Sequence, residues 1–326
     1  MIMKKAILFL FVIFGFTAFA QTDSTLSKAE KIKKIYELQD QRDNKEIEKY
    51  LSDKDKDVIL KAIYSLGNIQ RDEIIPSLAK MLNEKDLDIK KAAAFSIGQI
   101  YVNNHAGKDL LSELKTAEDI SYRCILFEAL GKIGEEFYLD NFLDMPVLHP
   151  DEDLGKVWGV TRYALRGIKN RNSIQFLLDK LKSKNDEIRL RAAYALWKSS
   201  TITSMTPADI PVILENIKYA ESAIKLYLIN ALGPLAVNDT IKQVLLAGIS
   251  GNSNIQLSIF KVLEKYKLSD SEVNTLFELK TPDEHASLAR IRLLYKAGLK
   301  DSLEKLFIAA KFKEMLKNKN LSWRER

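Results

Sequence analysis

The sequence predicts an all-α protein built from stacked helical pairs, and three observations carry that prediction. First, a helical unit recurs about every 33 residues and ends each time on the same apolar register, at Leu66, Ile97, Leu130, Leu165, Leu196, Leu232, Leu263 and Leu294. The gaps of 31, 33, 35, 31, 36, 31 and 31 residues are too regular for unrelated helices and lie in the range of helical repeats. Second, eight residues before each anchor, a distance that returns to the same helix face, stand Val58, Ile89, Tyr122, Val157, Ile188, Ile224, Ile255 and Ala286, all apolar. Third, the residue before the anchor is small in the first six copies (Ser65, Ser96, Ala129, Ala164, Ala195, Ala231) and large in the last two (Val262, Leu293). Small residues allow close helix packing, and the departure marks atypical end repeats.

Taken in chain order, the elements begin with Lys4 and Lys5 ahead of an apolar run from Ala6 to Phe19, closed by Ala18-Phe19-Ala20. This pattern reads as a secretory signal peptide over 1–20, with cleavage expected before Gln21. The alternative is an uncleaved anchor, but the run is shorter than the ~20 residues needed to span a bilayer. No cysteine follows the cleavage site to carry a lipid. Residues 21–42 are expected to form a capping helix, 43–317 the repeat array, and 318–326 a basic tail. Each anchored helix is preceded by another with its own apolar stripe, as in Ile74, Leu78 and Leu82, in Leu177, Leu178 and Leu181, or in Ile210, Ile213 and Ile217. The order is therefore first helix, turn, second helix, turn. Asp55, Asp86 and Asp119 stand where a short acceptor caps the second helices, and Gly67, Gly98 and Gly131 stand near their ends, where left-handed turns favour glycine.

Two strings carry a family resemblance: Asp88-Ile89-Lys90 through Phe95-Ser96-Ile97-Gly98, and Glu187-Ile188-Arg189 through Tyr194-Ala195-Leu196. They resemble HEAT repeats, in particular the short HEAT-like type of phycobilisome lyases. The match is good over residues 43–236 and degrades toward 317, with Arg166 and Trp197 in place of the glycine in two copies. The resemblance implies a right-handed α-α superhelix, a HEAT-like solenoid of about eight to nine helical pairs. Members of the family serve as scaffolds, enzyme-associated modules and adaptors, so it says little about activity.

Composition narrows the function classes. A charged fraction of 29% and a hydrophobic fraction of 46% fit a folded chain. The net charge of +6, which falls to +4 without Lys4 and Lys5, is modest; it favours anionic partners without the clustering that marks nucleic-acid binding. With one cysteine no internal disulfide is possible. Cys124 falls where other copies carry Leu60, Leu190, Leu226, Leu257 and Leu288 and reads as a small buried hydrophobe, the alternative being a reactive thiol. His105, His149 and His285 are far apart and form no metal-ligand pair. His149, Asp151 and Asp153 could build a weak cation site, or the loop's acids simply favour the next helix. No cofactor-binding pattern and no acid-base cluster is present, so a non-enzyme is expected. Two stretches break the period, Pro146 to Asp153 and the hydroxyl-rich Ser199 to Thr206, and insertions in such arrays usually project from one side. Gly248 to Gly251 reads as a turn.

The sharpest candidate site is a ladder seven residues before each anchor: Ile59, Lys90, Arg123, Trp158, Arg189, Lys225, Gln256 and Ser287. If second helices line the concave side, Lys90, Arg123, Trp158, Arg189 and Lys225, with Arg162 one turn along from Trp158, form a contact strip for a protein or peptide with acidic segments. The competing reading pairs the basic residues with helix caps and lets Trp158 fill a gap. The expected function is an exported, non-enzymatic scaffold, periplasmic or extracellular, with no nucleic-acid partner and no stable membrane insertion once the signal is removed. The alternative is the recruiting module of a split or shortened enzyme such as a cyclophilin-type peptidyl-prolyl isomerase, since the chain stops at Trp323-Arg324-Glu325-Arg326 without such a domain.

Overall fold

The structure, a computed structural model, describes residues 26–101, 105–199, 205–235, 237–249, 252–297 and 317. The expected signal peptide, most of the Ser199 to Thr206 stretch, the end of the Gly248 turn and the basic tail lie outside these residues. Seventeen α-helices and no strand occur among the described residues, so the all-α class holds. Two compact units divide the chain, Met1–Ala106 and Gly107–Arg326.

In the first unit α1 (Lys28–Asp40), α3 (Lys56–Ile69) and α5 (Leu87–Gln99) pack side by side as second helices, backed by the short first helices α2 (Asn44–Glu48) and α4 (Ile75–Met81). In the second unit the second helices are α7 (Ile120–Ile133), α9 (Glu152–Leu165), α11 (Asp186–Ser199), α13 (Ser222–Leu232), α15 (Ser253–Leu263) and α17 (Glu284–Lys296). The first helices are α6 (Gly107–Thr116), α8 (Leu139–Asp144), α10 (Arg171–Lys180), α12 (Ile210–Tyr219), α14 (Asp239–Ala247) and α16 (Asp270–Glu278). Within each unit, each second helix lies against the next. The segment expected to be a capping helix, α1, thus occupies the place of a second helix, opened by a reciprocal Ser27–Glu30 capping box and burying Ile35 and Leu38.

The sequence pattern explains these elements. Seven of the eight anchors, the eight residues one helical face back, and the three quoted stripes of the first helices are buried. Removing one such leucine side chain from its pocket costs about 2–5 kcal/mol, which is why the register recurs. Asp55, Asp86 and Asp119 accept backbone N–H bonds at the starts of α3, α5 and α7, and Asn185, Asn252 and Asp283 do the same for α11, α15 and α17.

Three expectations are corrected. The anchor of the fourth copy is Val160, not Leu165, which is 45% exposed. The interior positions Glu152, Lys156, Val157, Gly159, Val160, Thr161 and Tyr163 repeat the spacing of Val58, Ala62, Ile63, Ser65, Leu66, Gly67 and Ile69 in α3. The five-residue shift turns α9 by about 140° about its axis relative to the periodic reading. The cause is steric. Gly155 and Gly159 let α9 close on α7, where a Cβ on Gly131 would lie 2.2 Å from the Gly159 carbonyl oxygen. Second, Gly67 and Gly131 lie within α3 and α7 and not in left-handed turns; those turns fall at Gln70 and Gly134 instead. Gly67 is required by packing, since a Cβ there would meet that of Ser96 at 2.7 Å. Third, Cys124 is half-buried, not fully buried, and its thiol pKa is pushed up by burial and by the nearby Glu152 carboxylate.

Candidate interaction surface

Two members of the basic ladder, Arg123 and Arg189, turn toward the first helices. Arg123 is 2% exposed: its Nε donates to Glu152 Oε2 at 2.9 Å, Nη1 to the carbonyls of Leu114 at 2.6 Å and Ala117 at 3.2 Å, and Nη2 to that of Pro146 at 2.7 Å. Buried in this way it cannot join an exposed strip, and the expectation for it is corrected. Its role recurs. Arg189 donates to the Ser183 carbonyl at 2.9 Å and pairs with Asp186, Lys156 donates to the carbonyls of Leu143 and Met145 at 2.6 Å each, and Arg290 reaches those of Phe277 and Leu279. In each case a cation from a second helix satisfies the carbonyls left open at the end of the first helix and complements its dipole. Lys90 is half-buried in the first unit, and Lys225 is half-buried beside Ile217, Ile229 and Val244 in the second. Within the second unit Arg123 is thus removed from the strip, whereas Trp158 and Arg162 share one surface.

That surface is found by counting from the packing anchors. The position two residues before each anchor lies about 160° around the helix, pointing away from the first helices. In the first unit it holds Tyr36, Tyr64 and Phe95, all exposed, with Tyr64 and Phe95 meeting edge to face at 6.0 Å and Lys61 over the Tyr36 ring. In the second unit, with Val160 as fourth anchor, it holds Glu128, Trp158 and Tyr194 on α7, α9 and α11, and Asn230, Lys261 and Arg292 on the three second helices after them. One turn further, two residues past the anchor, stand Lys132, Arg162 and Lys198 on α7, α9 and α11.

These rows form a continuous band across α7, α9, α11 and α13. Glu128 accepts from Arg162 at 2.9 Å and pairs with Lys132 at 3.2 Å; burial opposes its charge, but the two cations hold its carboxyl below the usual range. Trp158 lies under Arg191 at 4.0 Å and beside Arg162 at 5.2 Å. Tyr194 meets Trp197 and Tyr227 edge to face, Trp197 and Tyr227 are nearly parallel at 5.6 Å, and Lys198 sits 3.9 Å from the centre of the Trp197 ring. All these side chains are half-buried. Arg191, Tyr194, Trp197, Lys198 and Tyr227 were not anticipated; the row two before the anchor finds Tyr194, and the other four stand around it. Each cation over an aromatic face contributes about 0.5–1 kcal/mol in such a setting.

Elsewhere the candidate groups pair with close neighbours. His149 Nδ1 accepts from the Asp151 amide at 3.2 Å, and Asp153 is paired with Lys180 at 2.5 Å. No group of three or more metal-ligating side chains occurs among the described residues, nor any helix long and apolar enough to cross a membrane. The grooves between first helices, such as that lined by Ile210, Pro211, Leu214, Tyr219 and Val244, are open.

A layer of second helices backed by a layer of first helices defines an α-solenoid protein. Its residues 44–131 match the family described as HEAT repeats, and the HEAT-like resemblance holds. Among solved structures the chain is similar to an engineered protein, at TM-score 0.57 and 17% identity over 89% of this chain and 87% of that one. It is also similar to Escherichia coli YibA, at TM-score 0.52 and 15% identity over 84% and 97% of the two chains. The complex of CpcE and CpcF of phycocyanin lyase from Nostoc sp. PCC7120 superposes at TM-score 0.42 and 12% identity, covering 78% of this chain and 94% of that one. No curated protein matches the sequence.

Proposed function

We propose that the protein is an exported, non-enzymatic scaffold that holds a polypeptide partner on the band formed by Trp158, Arg162, Arg191, Tyr194, Trp197 and Lys198. One observation carries this reading: a half-buried aromatic row flanked by cations on successive second helices, the composition of interaction hot spots, on the side turned away from the first helices. HEAT-like arrays commonly present such faces to other proteins. Export rests on the Lys4 to Ala20 pattern alone.

Site-specific photo-crosslinking tests the binding face. A crosslinker at Tyr194 should trap a discrete protein in the native cell envelope, whereas one at Tyr219, which is 84% exposed on first helix α12, should trap none. The Trp158→Ala, Arg191→Gln double variant should lose the Tyr194 adduct and keep its helical circular dichroism. An adduct of equal yield at both positions overturns the reading. Sequencing the mature N-terminus tests export, with Gln21 expected first.

A further inference from the structure

We infer that the second unit carries a further site, separate from the aromatic band, which takes a single-chain aliphatic carboxylate. A cleft of about 390 Å³ lies where first helices α12 and α14 meet second helices α13 and α15. Each helix contributes an apolar wall: Ile217 from α12, Ile229 from α13, Val244 from α14 and Ile259 from α15. The charged groups that line the cleft are Lys218, which is exposed, and Lys225, which is half-buried; no carboxylate lines it. Sites for small ligands have this size and this make-up, a concave apolar wall with a few polar groups that fix orientation. The combination selects the ligand. The walls suit a methylene chain, and the cations suit an anionic head.

Lys225 decides the case. It stands at the ladder position from which Arg123 and Arg189 reach carbonyls at the ends of the preceding first helices, yet its ammonium makes no such bond. Neither Lys218 nor Lys225 has a side-chain hydrogen bond, ion pair or ring contact among the described residues. The acids nearest by helical spacing are Glu215, three residues before Lys218, and Glu221, four before Lys225; both are exposed, and neither lines the cleft. A half-buried cation without a partner loses hydration with nothing to offset the loss. A carboxylate carried in by a ligand supplies the partner, through the charge-assisted hydrogen bonds that are the stronger kind.

Equilibrium dialysis of the full chain against decanoate, kept below its micelle-forming concentration, tests the site beside octanoate, decanol and decyltrimethylammonium. Decanoate should be retained. Octanoate, shorter by two methylenes, should bind about 15-fold more weakly, and decanol, which lacks the charge, about tenfold more weakly. Lys225→Gln should weaken decanoate about tenfold and leave decanol unchanged, with helical circular dichroism preserved, whereas Lys225→Arg should keep the affinity. Val244→Glu, which sets a carboxylate in the cleft, should abolish decanoate binding. No retention of decanoate, equal affinity for decyltrimethylammonium, or a Lys225→Gln variant that binds decanoate as tightly as the wild type overturns the proposal. Flotation with phosphatidylglycerol vesicles separates a free acid from a membrane surface: vesicle binding without decanoate retention assigns the lysines to lipid headgroups and overturns the proposal as well.

Discussion

Replacing Arg123 with Met would test whether the fourth unit is held by a buried ion pair. Arg123 and Glu152 are 2% and 0% exposed at their side chains, and besides Arg123 the carboxylate oxygen Oε2 accepts the Leu148 amide at 3.1 Å while Oε1 has no partner. Methionine fills the volume but leaves the Glu152 charge buried with one backbone N–H, and frees the carbonyls of Leu114, Ala117 and Pro146. Breaking a buried pair from one side costs about 3–5 kcal/mol. With a urea dependence of about 2–3 kcal/mol/M for a unit of this size, the midpoint should fall by roughly 1–2 M. Urea titration followed by circular dichroism reads the change. Glu152→Met alone should also destabilise, because it strands the guanidinium, whereas the double variant should cost less than the two losses added, recovering the part due to the stranded charge while the carbonyls of Leu114, Ala117 and Pro146 stay unpaired. A shift below about 0.3 M for Arg123→Met, or losses that simply add in the double variant, would refute the claim that the pair locks the unit.

The other predictions concern titration, packing and reactivity. Lys156, 5% exposed, has its pKa pulled down to about 8, first by burial and then by Lys180; the unfolded chain therefore binds the extra proton between pH 8 and the ordinary lysine range. The wild type should gain stability relative to Lys156→Met as pH rises through that window, by up to roughly 3 kcal/mol, and denaturation at pH 7.5 and 10 would expose a difference that stays flat. Gly131→Ala drives a Cβ onto the Gly159 carbonyl and should cost about 1–3 kcal/mol or more, with loss of near-ultraviolet ellipticity. Gly167→Ala, at φ +76° with nothing within 4 Å, should cost only the left-handed backbone penalty of about 1–2 kcal/mol. Because burial raises the Cys124 pKa, its labelling by an aromatic disulfide at pH 8 should be slower than that of the urea-unfolded chain; equal rates would contradict the half-buried placement.

Much of this architecture was legible because repeats impose one rule eight times: apolar anchors, capping acids and the stripes of the first helices all follow from helical periodicity. The fourth unit escaped because Leu165 continues the apolar register, whereas α9 starts at Glu152, 32 residues after the start of α7 at Ile120, and Gly155 and Gly159 then choose the packing face. Their four-residue spacing opposite Gly131 was the signal available. The ladder was misplaced for a related reason. A basic residue seven positions before an anchor looks solvent-facing in a lone helix, and only the neighbouring first helix, with its open carbonyls, turns Arg123 and Arg189 inward. The band was half visible, through Trp158 and Arg162; Tyr194 and Trp197 became meaningful only through their ring contacts with Tyr227 on the next second helix.

The segment from Met145 to His149 has the outward marks of a dispensable surface excursion, yet its carbonyls at Met145 and Pro146 are gripped by Lys156 and Arg123, and its Leu148 amide is held by Glu152. It serves as mortar between two courses of helices. Shortening it would therefore do more than trim a loop: it would strip acceptors from two interior cations at once. An affinity tag or fluorescent label belongs instead beside Tyr219, where the chain bears no such duty.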